Sequence, residues 1–194
     1  MHENLWAPWR MAYLNDLSRR VNATGGAPQT RSHAFGDPHD WPIEAPRPDT
    51  DQFLVNYFNT PDLDETNHVV FRNSHGIILL NRYPYANGHL MIALGDARPA
   101  LLDYDAEQRV QFWRLIEIAM DLMQRTLSPQ GVNVGINQGS AAGAGIPGHL
   151  HAHLVPRWAG DTNFISVVGH VRVIPQSLEA MAGQYRQAAA GLAG

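Results

Sequence analysis

The sequence predicts a domain of the α+β class with an antiparallel sheet. Three observations lead to this class. Short apolar runs of strand length recur from about residue 68, a long stretch repeats its apolar residues at helical spacing, and more strand-like runs precede a final helical stretch. Strands grouped on both sides of one helix are typical of helices packed on an antiparallel sheet. With 194 residues, the chain is long enough to bury a substantial core.

The first three strands are predicted at 68–71, 77–81 and 89–93. The segment 73–76 (Asn-Ser-His-Gly) separates the first two, and its turn-forming residues predict a hairpin. The segment 83–88 (Tyr-Pro-Tyr-Ala-Asn-Gly) then interrupts the apolar pattern before the third strand.

The main helix is predicted over 106–127. Asp105 is suited to cap its N-terminus, and Gln108 would complete a capping box with it. Because methionine is a common core residue, we expect the methionines of this helix to pack inside the domain. The apolar residues that recur at helical spacing are Phe112, Ile116, Met120, Met123 and Leu127.

The remaining elements follow the helix. A strand is predicted at 132–137, a glycine- and alanine-rich loop at 139–148, and another strand at 149–155 that Pro156 would stop. The final helix is predicted at 176–190. Two short stretches, 165–168 and 171–174, are further strand candidates.

The chain divides into three parts by composition. Residues 1–21 form an aromatic-rich N-terminal segment, which we expect to dock on the domain or on a partner chain. Residues 22–50 hold five of the 13 prolines and several glycines, and predict an irregular arm or loop. Residues 51–194 carry all the predicted strands and helices, and form the domain itself.

Two residue types are missing from the composition. The chain has no cysteine, which excludes disulfides, thiol catalysis and thiolate metal sites. All 14 basic residues are arginine, so mechanisms that need a lysine amine are excluded as well. The formal net charge of −4 argues against a general nucleic-acid-binding protein.

The sequence also predicts where the protein works. It has no run of 18 apolar residues, so we expect no membrane span. The N-terminus places polar residues and Pro8 where a signal peptide would have its apolar stretch. We therefore expect a non-secreted, cytoplasmic protein.

Histidine is abundant, and three of the 10 histidines alternate along one predicted strand. In a strand, His149, His151 and His153 would share one face, with neighbours roughly 6–7 Å apart. A core rarely tolerates three imidazoles without partners, so this face is a candidate site. The residues that would face the core are Leu150, Ala152 and Leu154.

Two kinds of chemistry could use this face. Neutral imidazole is a common metal ligand, but His149 and His153 would lie about 13 Å apart, so at most a pair could share one ion with a ligand from elsewhere. The alternative is phosphoryl or nucleotidyl transfer, in which one imidazole attacks phosphorus. The loop before the strand favours transfer, because its small residues would let backbone N–H groups approach an anion closely.

These residues resemble the histidine triad (HIT) family, whose signature is His-x-His-x-His followed by two apolar residues. Similarity to a bacterial branch containing diadenosine polyphosphate phosphorylases and hydrolases extends to Leu-Trp-Ala-Pro-Trp-Arg at 5–10, Asn-Arg-Tyr-Pro-Tyr at 81–85, Gly-His-Leu-Met at 88–91, Val-Pro-Arg-Trp at 155–158 and Gly-Asp-Thr-Asn-Phe at 160–164. The resemblance implies a HIT-like fold: a twisted antiparallel sheet of about five strands, one main helix and a C-terminal helix.

The resemblance also implies roles for the histidines. His151 would be the nucleophile that attacks the α-phosphorus and forms a nucleotidyl-histidine intermediate. His153 would lie near the bridging oxygen and assist the leaving group, while His149 and His89 would support and orient the site. This agrees with the chemistry of imidazole, which is nucleophilic and largely neutral near pH 7.

The nucleotide side of the site is implied in the same way. Asn81 resembles the family's nucleotide contact, and the residues expected near the phosphates are Asn137, Gly139, Ser140, Ala144 and Gly145. Relatives often place Gln or Ser at the position of Gly145, so one side-chain hydrogen bond to phosphate is missing here. Trp158 would close a pocket, either its own or that of a partner subunit, or would simply pack on the surface.

A second departure concerns zinc. Many relatives carry a Cys-x-x-Cys pair that binds a structural zinc together with histidines matching His89 and His149. Here Gln52 and Val55 replace both cysteines. We therefore predict no zinc and no other cofactor.

The expected function is cleavage of a nucleotide phosphoanhydride of the dinucleoside polyphosphate type through nucleotidyl-His151. The alternatives are a diadenosine tetraphosphate phosphorylase that uses phosphate as acceptor, a nucleotide-binding protein without turnover, and a mononuclear metal enzyme. The resemblance further implies a homodimer formed through the helix and a strand edge.

Overall fold

The computed structural model describes residues 52–162 and 173–191, with Phe164 and Val168 between them. The N-terminal segment 1–21 and the arm 22–50 lie outside the described residues. The strands are β1 (Val69–Arg72), β2 (Gly76–Leu80), β3 (Leu90–Leu94), β4 (Gly131–Ile136) and β5 (His151–Arg157). The helices are α1 (Phe53–Asn59), α2 (Ala106–Leu127) and α3 (Leu178–Ala190).

The five strands form one antiparallel sheet in the order β1-β2-β3-β5-β4. Hairpins connect the first three strands. The chain then passes through α2 to the far edge of the sheet, forms β4, and returns as β5 between β4 and β3. This exchange brings the strand that carries His151 and His153 next to β3, and it confirms the predicted α+β fold.

The core lies between the sheet and helices α2 and α3. Strands β2 and β3 are buried along their whole length, as expected of strands with a neighbour on each side. Leu150, just before β5, and Ala152 and Leu154 within it belong to this core, as the alternation predicts. The α2 residues that cover the sheet are Phe112, Leu115, Ile116, Ala119, Leu122 and Met123.

Helix α2 has the predicted bounds, because both of its ends are specified locally. The Asp105 carboxylate accepts from the Gln108 amide at 2.8 Å, and the Gln108 side chain accepts from the Asp105 amide at 3.1 Å, which completes the capping box. At the other end, Ser128 adopts a left-handed conformation (φ +43°) and stops the helix. The expectation that Met120 is buried is wrong, since 42 % of it is exposed.

Arg72 connects α1 to the sheet. Its guanidinium donates to the carbonyl oxygens of Phe58 (2.7 Å) and Tyr57 (2.9 Å), which belong to the last turn of α1. The same group forms a two-pronged ion pair with Asp64. One side chain at the end of β1 therefore satisfies carbonyls that the helix leaves without a partner.

One strand prediction needs correction, and two others lie mostly outside the described residues. Strand β5 begins at His151 rather than His149, and it continues through Pro156. Proline is tolerated there because β3 pairs with β5 only as far as Leu154, so that position 156 has one neighbouring strand. The candidates at 165–168 and 171–174 lie mostly outside the described residues, and their described members, at positions 168, 173 and 174, are in no strand.

Within 52–162 and 173–191, no helix is long and apolar enough to cross a membrane.

Candidate active site

The predicted histidines come together where β3 and β5 pair. Ala93 lies opposite His151 and Met91 lies opposite His153, while His89 immediately precedes β3. The ring centroids of His151 and His153 are 4.9 Å apart, and those of His153 and His89 are 5.1 Å apart. Three imidazoles thus form a continuous row across two neighbouring strands.

His151 is held with one ring nitrogen available for attack. It is 2 % exposed, and its Nδ1 lies 2.9 Å from the carbonyl oxygen of His149. A carbonyl can only accept, so Nδ1 carries the proton of the neutral ring and Nε2 keeps its lone pair. Burial lowers the pKa of His151, which favours this neutral, nucleophilic form.

The proton positions on His89 and His153 follow from a backbone amide. The N–H of Tyr85 donates to Nδ1 of His89 at 3.1 Å. Neutral His89 therefore has its proton on Nε2, which lies 3.1 Å from Nδ1 of His153 and donates to it. Neutral His153 in turn carries its own proton on Nε2. We call this chain, from the Tyr85 amide through His89 to His153, the proton relay.

His149 supports the site through its backbone carbonyl, and it precedes β5. Its side chain is fully buried, and Nε2 donates to the carbonyl oxygen of Leu94 at 2.8 Å. Burial lowers the pKa of His149, and its Nδ1 has no hydrogen-bond partner among the described residues. The expectation that the three triad histidines line one face of a single strand is thus wrong for His149, because its amide is bonded in a turn to Ile146 before β5 begins.

The glycine- and alanine-rich loop is a compact turn. Gly139 and Gly143 have φ values of +80° and +84°, which only glycine adopts without strain. The amides of Ala142 and Ala144 both donate to the Gly139 carbonyl, and the Gly143 amide donates to that of Ser140. The amides at 142–144 are therefore engaged within the loop, which limits the number of N–H groups the loop can direct to an anion.

The two asparagines lie at the ends of strands that border the row. Asn81 follows β2 and is 9 % exposed; its amide donates to the His89 carbonyl at 2.9 Å, and its side-chain oxygen accepts from Tyr83. Asn137 follows β4 and lies one residue beyond the pairing of Ile136 with Ala152. Both positions are thus next to a histidine-bearing segment.

Trp158 lies at the opposite end of β5 from His151. Six residues of extended strand separate His151 from Arg157, which corresponds to about 20 Å. Arg157 is engaged at the surface, where it pairs with Asp161 at 2.6 Å and donates to Asn133 at 2.9 Å. Trp158 directly follows the last residue of β5, seven positions after His151 and five after His153.

Sequence reasoning assigned no role to Tyr85. Its ring centroid lies 4.7 Å from that of His89 and 6.0 Å from that of His153, and its amide sets the relay. The signal in the sequence was its position four residues before His89 in a segment rich in turn-forming residues. Such a short loop brings the Tyr85 amide back to the imidazole.

The residues present do not fit a zinc site of the kind found in relatives. Gln52 is exposed and Val55 is apolar. Both ring nitrogens of His89 bond to protein groups instead, and Nε2 of His149 bonds to Leu94. Among the described residues, no group of three or more His, Asp or Glu side chains could hold a metal ion.

Comparisons with known proteins agree with this geometry. The AP-4-A phosphorylase of Mycobacterium tuberculosis is 35% identical over 179 residues, which cover 91% of this chain and 78% of the relative. The asymmetrical bis(5'-nucleosyl)-tetraphosphatase of Schizosaccharomyces pombe is 26% identical over 93 residues, covering 48% of this chain and 50% of the relative.

A solved structure has the same fold. The Zn-bound histidine triad family protein of Mycobacterium smegmatis superposes with a TM-score of 0.57 at 23% identity, covering 71% of this chain and 94% of that one. The family model of the HIT domain matches residues 63–160, a span that includes all five strands and the histidine row. The chain therefore belongs to the HIT domain family.

Proposed function

We propose that this protein cleaves a phosphoanhydride bond of a dinucleoside polyphosphate through a nucleotidyl-His151 intermediate. The observation that carries the proposal is the pair of opposite tautomers in the histidine row. His151 has its lone pair on Nε2, while the neighbouring His153 has its proton on Nε2. A nucleophile and a proton donor thus stand side by side.

The reaction is a double displacement. Nε2 of His151 attacks the α-phosphorus, the bond from phosphorus to the bridging oxygen breaks, and that oxygen leaves with the electron pair as a phosphate anion, which Nε2–H of His153 stabilises by a hydrogen bond. Water then attacks the nucleotidyl group, the P–N bond breaks with its electron pair returning to Nε2 of His151, and a nucleoside monophosphate leaves while the proton of the water passes to solvent. His89 keeps His153 oriented in both steps through its hydrogen bond.

The remaining site residues would bind the nucleotide. Asn81, buried beside His89, is the proposed contact on the nucleoside side. The turn after β4 would lie along the phosphates, with Asn137, Gly139, Ser140, Ala144 and Gly145 as the proposed contacts. Trp158, which follows β5, would close a pocket, either its own or that of a second subunit.

A second candidate is phosphorolysis, in which inorganic phosphate replaces water in the second step. The observation that favours it is the similarity to the M. tuberculosis AP-4-A phosphorylase over 91% of this chain. The absence of a side chain at Gly145 weighs against it, because one hydrogen bond to phosphate is missing.

A homodimer is part of the proposal. Helix α2 carries a strip of exposed apolar side chains at helical spacing, Val110, Trp113 and Met120, on the side away from the core. Strand β4 lies at one end of the sheet and exposes Val134. A helix face and a sheet edge of this kind support pairing with a second copy. A cytoplasmic location and the absence of zinc remain predictions from the sequence.

Incubation of the purified protein with diadenosine tetraphosphate, with and without inorganic phosphate, tests the function. AMP plus ATP without phosphate would indicate hydrolysis, and ADP plus ATP only with phosphate would indicate phosphorolysis. We expect His151→Ala to lose activity by at least about 10³-fold while keeping its fold. The exposed His75→Ala is the matched control and should be fully active.

Two results would contradict the proposal. Retained activity in His151→Ala would exclude the nucleotidyl-histidine. Tight nucleotide binding without any turnover, for diadenosine tetraphosphate and for nucleoside phosphoramidates, would favour the binding-protein alternative. Metal analysis of the same active sample tests the absence of zinc, and stoichiometric metal would contradict it.

A further inference from the structure

The turn that carries His89 is held by the C-terminal helix. Tyr185 in α3 is fully buried, and its hydroxyl donates a 2.9 Å hydrogen bond to the carbonyl oxygen of Gly88, the residue before His89. Burial raises the pKa of Tyr185, so the hydroxyl stays protonated and remains a donor. A residue 97 positions beyond Gly88 thus contacts the peptide that leads into the proton relay.

Gly88 is enclosed between two helices. Its φ of +81° suits glycine, and a Cβ added there would lie 2.3 Å from the Leu127 side chain and 3.0 Å from the Tyr185 hydroxyl. Asn87, the preceding residue, donates to the side chain of Gln176 at 2.6 Å. Two consecutive residues of the turn are therefore anchored to α3 and to the segment just before it.

This anchoring acts on the relay through the Gly88–His89 peptide. The His89 ring must satisfy two partners at once, the Tyr85 amide and Nδ1 of His153, each at 3.1 Å. Both contacts depend on the direction in which the His89 backbone projects its side chain. If the Gly88 carbonyl lost its anchor, the peptide could rotate and the contact to His153 would weaken.

We propose that Tyr185 is a positioning residue, which holds His89 against His153 through Gly88 and thereby keeps the proton of His153 on Nε2. Its effect on catalysis rests on the proposed function, whereas its effect on the tautomer of His153 is a property of the protein alone. No group on the substrate has to touch Tyr185. The C-terminal helix is therefore part of the catalytic apparatus even though it lies outside the triad signature.

The chain offers a matched control for this proposal. Tyr104 is also buried, and its hydroxyl also donates to a backbone carbonyl at 2.9 Å, that of Asp96 beyond the other end of β3. Tyr185→Phe and Tyr104→Phe each remove one buried hydroxyl that donates to a backbone carbonyl, and the Tyr104 hydroxyl in addition accepts from the Arg98 amide at 3.3 Å. A difference in kcat or in the His153 tautomer between the two variants would thus reflect where the hydroxyl lies, rather than a general loss of stability.

We expect Tyr185→Phe to lower kcat about tenfold, equivalent to about 1.4 kcal/mol in the activation free energy, with KM changed less than about twofold. Tyr104→Phe should keep kcat within about twofold of the wild-type value. Nitrogen-15 NMR of the histidine rings without substrate gives the second readout, with His153→Gln used to assign the signals. The wild-type signal should show His153 protonated at Nε2, and Tyr185→Phe should show a mixture of tautomers.

If Tyr185→Phe does not fold, Gln176→Ala provides a second test of the anchoring. It removes the link to Asn87 without opening the core, and it should shift the His153 signal in the same direction to a smaller extent. An unchanged His153 signal in the variant that folds would overturn the proposal. Equal losses of kcat in both tyrosine variants would also overturn it.

The two proposals fail separately. If the wild-type protein cleaves no dinucleoside polyphosphate, the proposed function fails, and the NMR comparison alone decides the role of Tyr185. If turnover is normal but neither kcat nor the tautomer responds to Tyr185→Phe, the proposed function stands and the positioning role is refuted.

Discussion

At the scale of single residues, the positions of three protons decide what the histidine row can do. A carbonyl beside His151 and an amide beside His89 set these positions, and both are backbone groups. Backbone groups cannot change their donor or acceptor character with pH. The tautomers of the row are therefore fixed more firmly than neighbouring carboxylates could fix them.

Burial of neutral histidines makes stability depend on pH. Burial lowers the pKa of His68, His149 and His151 in the folded protein, whereas the unfolded chain binds these protons near pH 6.5. Between the two values the unfolded state holds more protons, so acidification favours unfolding. Their stabilising contribution is complete above about pH 6.5, and it is lost as the pH falls from there through the lower folded-state values.

We expect the free energy of unfolding in urea to fall between pH 7.5 and pH 5.5. His149→Gln should reduce this fall, because each unit by which the pKa is lowered on folding is worth about 1.4 kcal/mol once the pH lies below both values. The exposed His75→Gln should keep the wild-type pH dependence. Equal slopes for all three proteins would show that His149 does not titrate as its burial requires.

At the scale of elements, Arg72 connects α1 to the sheet. Its loss should lower the free energy of unfolding more than the loss of a surface ion pair does. Replacing it with methionine would leave the Asp64 carboxylate and two α1 carbonyls without their donor. Because Arg72 and Asp64 are about a quarter exposed, solvent screens part of the effect. We expect Arg72→Met to lower the free energy of unfolding by about 2 kcal/mol.

The control for Arg72 is Arg125, whose i,i+4 pair with Asp121 lies on the exposed side of α2. Arg125→Met should cost no more than about 0.5 kcal/mol in the same urea titration. If the two variants were equally stable, Arg72 would not be the attachment of α1 to the sheet.

The elements also show what the sequence could and could not predict. Helix α2 was predicted at its correct bounds because its cap, Asp105, and its periodic residues are local signals. Strand β5 was placed two residues too early, since strict alternation at His149 imitates a strand where the chain is still in a turn. Met120 is predicted in the core because it recurs at helical spacing. That spacing gives the period of an apolar stripe but not its width, so a residue at the edge of the stripe can be exposed.

The candidate site residues could be named from the sequence, but their hydrogen bonds could not. The triad and His89 could be named from the sequence, whereas the relay needs a loop amide at Tyr85 and two strands in register. The contact between Tyr185 and Gly88 joins residues that no local pattern connects.

At the scale of the whole molecule, the exposed strip on α2 is the proposed dimer surface. We expect the wild-type protein to be a dimer in light scattering coupled to size exclusion. Trp113→Glu should shift it to monomer, because a charge would be buried at the centre of the strip. Val173→Glu, at another exposed apolar residue, should remain dimeric. A wild-type monomer at micromolar concentration would contradict the proposed assembly.

The hydrogen bond between the Asn81 amide and the His89 carbonyl joins the two ends of the loop between β2 and β3. The register of β2 with β3 is set outside this hydrogen bond, and residues 82–88 lie inside it. Within the loop, the Tyr85 amide bonds to His89 and Asn87 bonds to Gln176. Sequence change in the loop, by evolution or by design, should therefore leave the strands in register, but it preserves the histidine row only where these two contacts persist.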